Sequence, residues 1–402
     1  MSREPYRKNQ TTMSRNYKKR KTRRIRRVFL TIRTILLILL VTVALLLVGG
    51  RLMDAYLGTH VMEDFLRAIP VQEWLKLPDE VLETSQTPAV SDSLTPRPTP
   101  AVTAAPVATV TPGTPEGEAA EFAAGYDLRK TKATQTIKDE LFPDKYAFGS
   151  KYAIVVDLDH NEVLAQKDAE VRMNPASMTK ILTILVAAER VDLSRLDTDT
   201  FPVDADLAVY SYVNDFSSVG WVEGDAPTIR DLFYGCILPS GADAAVGLAE
   251  YTAGSQENFV KLMNDKCSQL GIGKTTHFTN CVGLFDANHY STCHDMAVIM
   301  KAALENTFCR EVLSAHTYTT KPMKESPEGE VLSNWFLRRI EDKDTHGTVR
   351  SAKTGFVKES GCCAASYQIA NSGAHTMVVT ADTYSVWKCI YDHVALYALY
   401  DK

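Results

Sequence analysis

Between Ile35 and Gly50 the chain reads ILLILLVTVALLLVGG, a run with no charge and a single hydroxyl, Thr42. At about 1.5 Å per residue such a run nearly crosses a hydrocarbon layer of roughly 30 Å, and a folded surface has no place for it. Extended back to Val28, it leaves Arg33 able to snorkel toward the basic side. Residues 1–33 hold 13 Lys/Arg and one Glu, so this head is +12, whereas everything beyond it is −17. The positive-inside rule keeps such a head in the cytoplasm. Residues 34–50 are therefore expected to form a single-pass anchor in the cell membrane, with the rest of the chain outside. A cleaved signal peptide is the competing reading, with Gly49-Gly50 as its small-residue pair; the run's length and the lack of an Ala-x-Ala-like site favour a retained anchor. A nucleic-acid binder carries its positive charge on the folded part, and here that part is acidic, so nucleic acid is not an expected partner.

Beyond the anchor the composition changes twice. Residues 51–86 mix Leu, Val, Trp74 and charges as a juxtamembrane segment, and residues 87–124 are rich in Pro, Thr and Ala. Seven of the 17 prolines fall in Thr87–Pro115, which predicts a semi-stiff disordered linker able to hold a domain several tens of Å from the bilayer. Residues 125–402 read as one globular domain with length enough for a sizeable core. Tyr152–Asp157 and Val163–Ala165 read as a strand hairpin around Asp159-His160-Asn161. Helices are expected over 178–189, 229–236, 242–252, 256–270 and 294–305, and strands over 351–353, 364–369 and 375–382. A final helix is expected over 385–400. A sheet built from both ends of the domain, with a helical insert between them, follows from that order.

Ser177-Met178-Thr179-Lys180 opens the first of these helices. Three residues is close to one helical turn, so hydroxyl and ammonium share a face. Serine is a weak nucleophile until a neighbouring base takes its proton, and a lysine serves as that base once burial lowers its pKa. Ser-x-x-Lys alone is weak: Ser385-Val386-Trp387-Lys388 is a second match, read as accidental, and a serine at a helix start commonly caps backbone donors. What raises Ser177 is company. Lys353-Thr354-Gly355 ends an expected strand and offers a cation, a hydroxyl and a glycine that permits close backbone approach. Between them lies Leu238-Pro239-Ser240-Gly241-Ala242-Asp243, a loop opening a helix, where Asp243 alone would be an N-cap candidate.

In this order the three elements resemble the active-site-serine penicillin-recognising enzymes, above all the D-alanyl-D-alanine carboxypeptidases of serine peptidase family S11. The surrounding text agrees: RMNPASMTKILTILVAAE, ILPSGADAAVGLAE, HFTNCVGLFDANHYSTCHDMAVI and SAKTGFVKESGCCAASY. The likeness covers about residues 148–402. It implies an α/β (α+β) fold of the β-lactamase/transpeptidase type, with an antiparallel sheet flanked by helices and an all-helical subdomain. It also implies that Ser177 is acylated, Lys180 accepts its proton, Ser240 relays protons to the leaving group, and Lys353 with Thr354 and Gly355 binds the substrate carboxylate. Backbone donors of Ser177 and Phe356 would form the oxyanion hole. The implied partners are peptidoglycan stem peptides ending in D-Ala-D-Ala, with β-lactams as covalent inhibitors and no cofactor.

Ala242 departs from the family's Ser-x-Asn middle motif and offers no side-chain hydrogen bond, a loss of about 1–3 kcal/mol unless water substitutes. A wall-peptide binding domain with little turnover is therefore an alternative, and a β-lactamase another. A β-lactamase would need an efficient deacylating carboxylate, which none of the three elements above supplies. Eight cysteines between Cys236 and Cys389 leave disulfides and buried thiols both open, except that adjacent Cys362 and Cys363 point to opposite faces of a strand. No Cys-x-x-Cys, His-Glu-x-x-His or glycine-rich phosphate loop is present, and His289 and His294 read as loop and helix-start residues.

Overall fold

A computed structural model describes residues 122–143 and 146–400. The expected cytoplasmic tail, anchor, juxtamembrane segment and most of the linker lie outside the described residues. Among the described residues no helix is long and apolar enough to cross a membrane. The first described residue, Phe122, is already packed: its ring meets Tyr367 edge-on at 5.6 Å, and Ala123 N–H donates to Leu158 O.

The centre is a six-stranded sheet in the order β1 (Arg129–Thr136), β3 (Glu162–Lys167), β2 (Tyr152–Asp157), β8 (His375–Thr383), β7 (Gly361–Ala370), β6 (Gly347–Val357). The β2–β3 hairpin forms as expected. Asp157 Oδ1 accepts from the N–H of Asp159 (2.8 Å) and His160 (3.1 Å), and Asn161 takes the left-handed conformation its short amide tolerates. The apolar run of β2 is continuous because both faces are covered: Ile154 and Val156 enter one core, Ala153 and Val155 the other. β8 divides in the same way, Met377 and Val379 against Val378.

One face carries α9 (Val386–Tyr400) and the short α8 (Leu337–Ile340), whose Ile390, Leu396 and Leu337 fill the smaller core. The other face packs against α1 (Thr179–Ala188) and α6 (Cys293–Glu305). Around these lie α2 (Ala205–Val213), α3 (Ile229–Ile237), α4 (Ala242–Ala253), α5 (Gln256–Gln269) and α7 (Thr307–Ser314). All ten residues of α1 are buried, so the helix runs through the interior rather than along it. The start of α3 is fixed by a capping box, Thr228 with Asp231.

Three features depart from the sequence reading. The sheet is mixed rather than antiparallel throughout, because β1 pairs with β3 in parallel. RKTKATQT has no apolar alternation, since an edge strand buries little of itself. β6 starts at Gly347 rather than Ser351 for the same reason, and the ribbon of β4 (Thr317–Thr319) and β5 (Val331–Ser333) is too short and exposed to leave a pattern. All eight cysteines are buried free thiols.

Candidate active site

The nucleophile candidate sits on a 3-10 turn, Ala176–Met178, that leads directly into α1. Asn174 Oδ1 accepts the Ala176 N–H at 2.9 Å, and Ala176 has φ +46°, a left-handed setting that a non-glycine residue adopts only when its surroundings impose it. Two contacts impose it here. Gly283 (φ +89°) lies so close that a Cβ there would overlap the Ala176 carbonyl, and a Cβ on Gly355 of β6 would come within 2.9 Å of Pro175 O and 3.0 Å of Ser177 N. Glycine at 355 thus lets the end of β6 abut the backbone of Ser177, bringing the two expected oxyanion-hole segments together.

Lys180 is fully buried one turn further on. Its Nζ donates to Ser177 Oγ at 3.0 Å and to the Val282 carbonyl at 2.9 Å, and stands 5.5 Å above the Phe216 ring. Burial pushes the ammonium down to about 8, with buried thiols and Asp243 opposing the shift only partly. At pH 7 about a tenth of such a lysine is the neutral amine, and at pH 8 about half.

The Val282 carbonyl is held in place by a turn that the sequence reading did not single out. Asn280 Oδ1 accepts from the N–H of Val282 (3.2 Å), Gly283 (2.8 Å) and Leu284 (2.9 Å), while Thr183 on α1 donates to Cys281 O at 2.7 Å. The only trace of it in the sequence is an Asn three residues before a Gly. His289, expected as a loop residue, is in a loop but buried. Its Nε2 lies 2.9 Å from Thr179 Oγ1, and burial holds its pKa down to about 4, so the ring braces α1 as a neutral partner.

Lys353 is the second buried lysine of the site. Its Nζ donates to Ser240 Oγ (2.8 Å) and to the Thr354 carbonyl (2.9 Å), and Ser240 has φ +62°. Burial, aided by the nearby Lys180 cation, holds the Lys353 ammonium well below the usual lysine range. Ser177, Ser240, Thr354, Gly355 and Phe356 line one cleft of about 300 Å³, so both hydroxyls face the cavity from above two buried amines. The second Ser-x-x-Lys lies elsewhere: Ser385 Oγ accepts from Lys388 N–H, and Lys388 Nζ reaches Ala147 O and Asp392.

This constellation coincides with a family match. Residues 138–383, well over half of the chain, match the family described as D-alanyl-D-alanine carboxypeptidase. The chain belongs to that family. It is similar to the D-alanyl-D-alanine carboxypeptidase DacF of Bacillus subtilis, 31% identical over 240 residues, which are 59% of this chain and 59% of that protein. It is also similar to DacC of Escherichia coli, 37% identical over 156 residues, 38% of this chain and 39% of that one. The chain thus spans well under two thirds of these relatives. The fold is shared with the crystal structure of the Streptomyces K15 DD-transpeptidase, with a TM-score of 0.57 and 24% identity over 63% of this chain and 98% of that chain.

Within this D-alanyl-D-alanine carboxypeptidase family member, Ala242 is fully buried at the start of α4, its N–H donating to Ser217 O at 2.9 Å. Its neighbour Asp243 is not the N-cap the sequence suggested, because Gly241 holds that position and no side chain caps α4. Its carboxylate accepts from Ser218 Oγ (2.6 Å), Val219 N–H and Gly220 N–H, tying α4 to the loop that carries Asp215 and Phe216 on the far wall of the cleft.

Proposed function

We propose that the chain is a serine-type D-alanyl-D-alanine carboxypeptidase that removes the terminal D-alanine from peptidoglycan stem peptides, held to the cell membrane by its N-terminal segment with the catalytic domain outside. One observation carries the reading: a serine hydroxyl 3.0 Å from a fully buried lysine whose pKa is about 8. Neutral Lys180 takes the Ser177 proton as Oγ attacks the penultimate carbonyl carbon, and the oxyanion forms against the backbone donors of Ser177 and Phe356. The carbon–nitrogen bond then breaks. The proton passes through Ser240 to the departing amine, D-alanine leaves, and the acyl group remains as an ester on Ser177. Water then attacks that ester, giving up a proton to Lys180, which passes it to Ser177 Oγ as the ester bond breaks and the shortened peptide leaves. Lys353 orients Ser240 and, with Thr354, faces the substrate's carboxylate side. β-Lactams would acylate the same oxygen.

The test is D-alanine release by the detergent-solubilised full chain from a peptide ending in D-Ala-D-Ala, beside labelling by penicillin. Release together with a Ser177-linked label supports the reading. Labelling without release would instead mark a wall-peptide binder, the outcome that Ala242 in place of asparagine keeps open, and rapid penicillin turnover would mark a β-lactamase.

A further inference from the structure

Ala242 brings no hydrogen bond to the general base, yet Lys180 is fully buried. An ammonium carries three protons, and among the described residues this one meets two oxygens, Ser177 Oγ and the Val282 carbonyl. It also stands over the ring of Phe216, 5.5 Å from the centroid. Ser177 and Phe216 both line the cleft whereas Lys180 does not, so these two side chains lie between the amine and the open space. The loop that carries the ring is held tightly against the start of α4. Asp215 turns the chain back from the end of α2 at φ +55°, and Phe216 N–H donates to Ser211 O at 2.8 Å. Ser217 O accepts the Ala242 N–H at 2.9 Å, and the Asp243 carboxylate accepts from Ser218 Oγ at 2.6 Å and from Gly220 N–H at 3.2 Å. A Cβ on Gly241 would come within 2.8 Å of Val219 Cγ2, so loop and helix touch at the middle motif itself.

We propose that Phe216 is a positioning residue for acylation, a cover that shuts cleft water away from the Ser177–Lys180 pair where position 242 supplies no amide. This rests on the reading of Lys180 as the base and adds the residue that keeps it one. At 5.5 Å the attraction between ring and ammonium is close to its outer limit of about 6 Å, whereas water in place of the ring would solvate the cation directly. Exclusion of water therefore outweighs attraction, and the ring favours the neutral amine. The other ionisable groups facing Lys180 are the Cys236 thiol of α3, the Cys281 thiol, the Asp243 carboxylate of α4 and the Lys353 ammonium of β6. Burial pushes both thiols up, Cys236 to about 12, so neither ionises appreciably between pH 6 and 10. Lys353 is common to every variant, so the difference between pH profiles is what reports on Phe216.

The experiment follows first-order acylation by penicillin G from pH 6 to pH 10 in the detergent-solubilised full chain, wild type beside Phe216→Ala and Phe216→Leu. The wild-type rate should inflect near 8. Phe216→Ala admits water and should move the inflection up by about one unit, slowing acylation about tenfold at pH 7 and hardly at pH 10. Phe216→Leu is apolar and covers the same amine, so it should return the inflection to within about 0.3 of wild type. A first-order rate does not depend on how much of each variant folds. If Phe216→Ala yields no folded protein, Phe216→Gln, whose amide favours the ammonium, carries the same expectation. An inflection in Phe216→Ala that stays in place or falls, with the rate lowered equally at every pH or not at all, would overturn the proposal while leaving Lys180 as the base. So would a shift in Phe216→Leu as large as that in Phe216→Ala. A wild-type chain that takes no penicillin, or takes it at a rate without an inflection, would sink the reading of Lys180 as the base, and this inference with it.

Discussion

Replacing Lys180 by methionine isolates the energetic consequence of burying the general base. The folded state holds this lysine at about 8 against 10.5 for the free side chain, so between those values the unfolded chain binds more protons than the folded one. Stability contributed by this site therefore rises with pH across that window, and below pH 8 the buried ammonium opposes folding by about 3 kcal/mol. Methionine fills a similar volume and does not titrate. It forfeits the hydrogen bonds to Ser177 Oγ and Val282 O, but that loss is independent of pH. The difference in unfolding free energy between wild type and Lys180→Met should hence shift by about 2–3 kcal/mol in favour of wild type from pH 7 to pH 10. Lys353 adds to the shift with the same sign, because the Lys180 cation deepens its depression. Urea unfolding followed by tryptophan fluorescence at pH 7, 8, 9 and 10 measures this directly. Parallel stability curves for the two proteins would refute the claim that Lys180 is held near neutrality, and with it the assignment of the base.

Acylation by penicillin in the wild-type chain should rise with pH and inflect near 8, as Lys180 loses its proton; a rate flat from pH 6 to 9 would contradict Lys180 as base. Ser177→Ala should abolish labelling and Ser385→Ala leave it intact, with mass spectrometry of the labelled peptide as the check, since Ser385 serves only the start of α9. Ala242→Asn adds volume at a fully buried position, so it should destabilise by about 1–3 kcal/mol and slow acylation. Asn280→Ala strips the shared acceptor from three N–H groups and should slow acylation at least about tenfold by loosening the Val282 carbonyl that positions Lys180, a loss that stopped-flow labelling would register.

The chemistry that was legible in the sequence is the chemistry carried by local geometry. Ser177 and Lys180 meet because residues three apart on a helix share a face, whatever surrounds the helix. The apolar runs of β2, β7 and β8 announce strands covered on both faces, because such strands need no polar side. Edge strands hide for the converse reason: β1 and the first residues of β6 bury too little to carry a pattern.

What turns Lys180 from a cation into a base is not local. It needs the complete burial of α1, a carbonyl delivered by Val282 from 102 residues away, and the Asn280 turn that aims it. Ser240 and Lys353 likewise meet at 2.8 Å across 113 residues of chain, and Gly355 earns its place only because β6 comes to rest against Ser177. Desolvation and close backbone approach are properties of packed neighbours, and spacing along a chain does not encode which neighbours arrive. The residue types and their order were thus set by the sequence alone. The depressed pKa of the buried lysines and the mixed sheet were decided by tertiary packing.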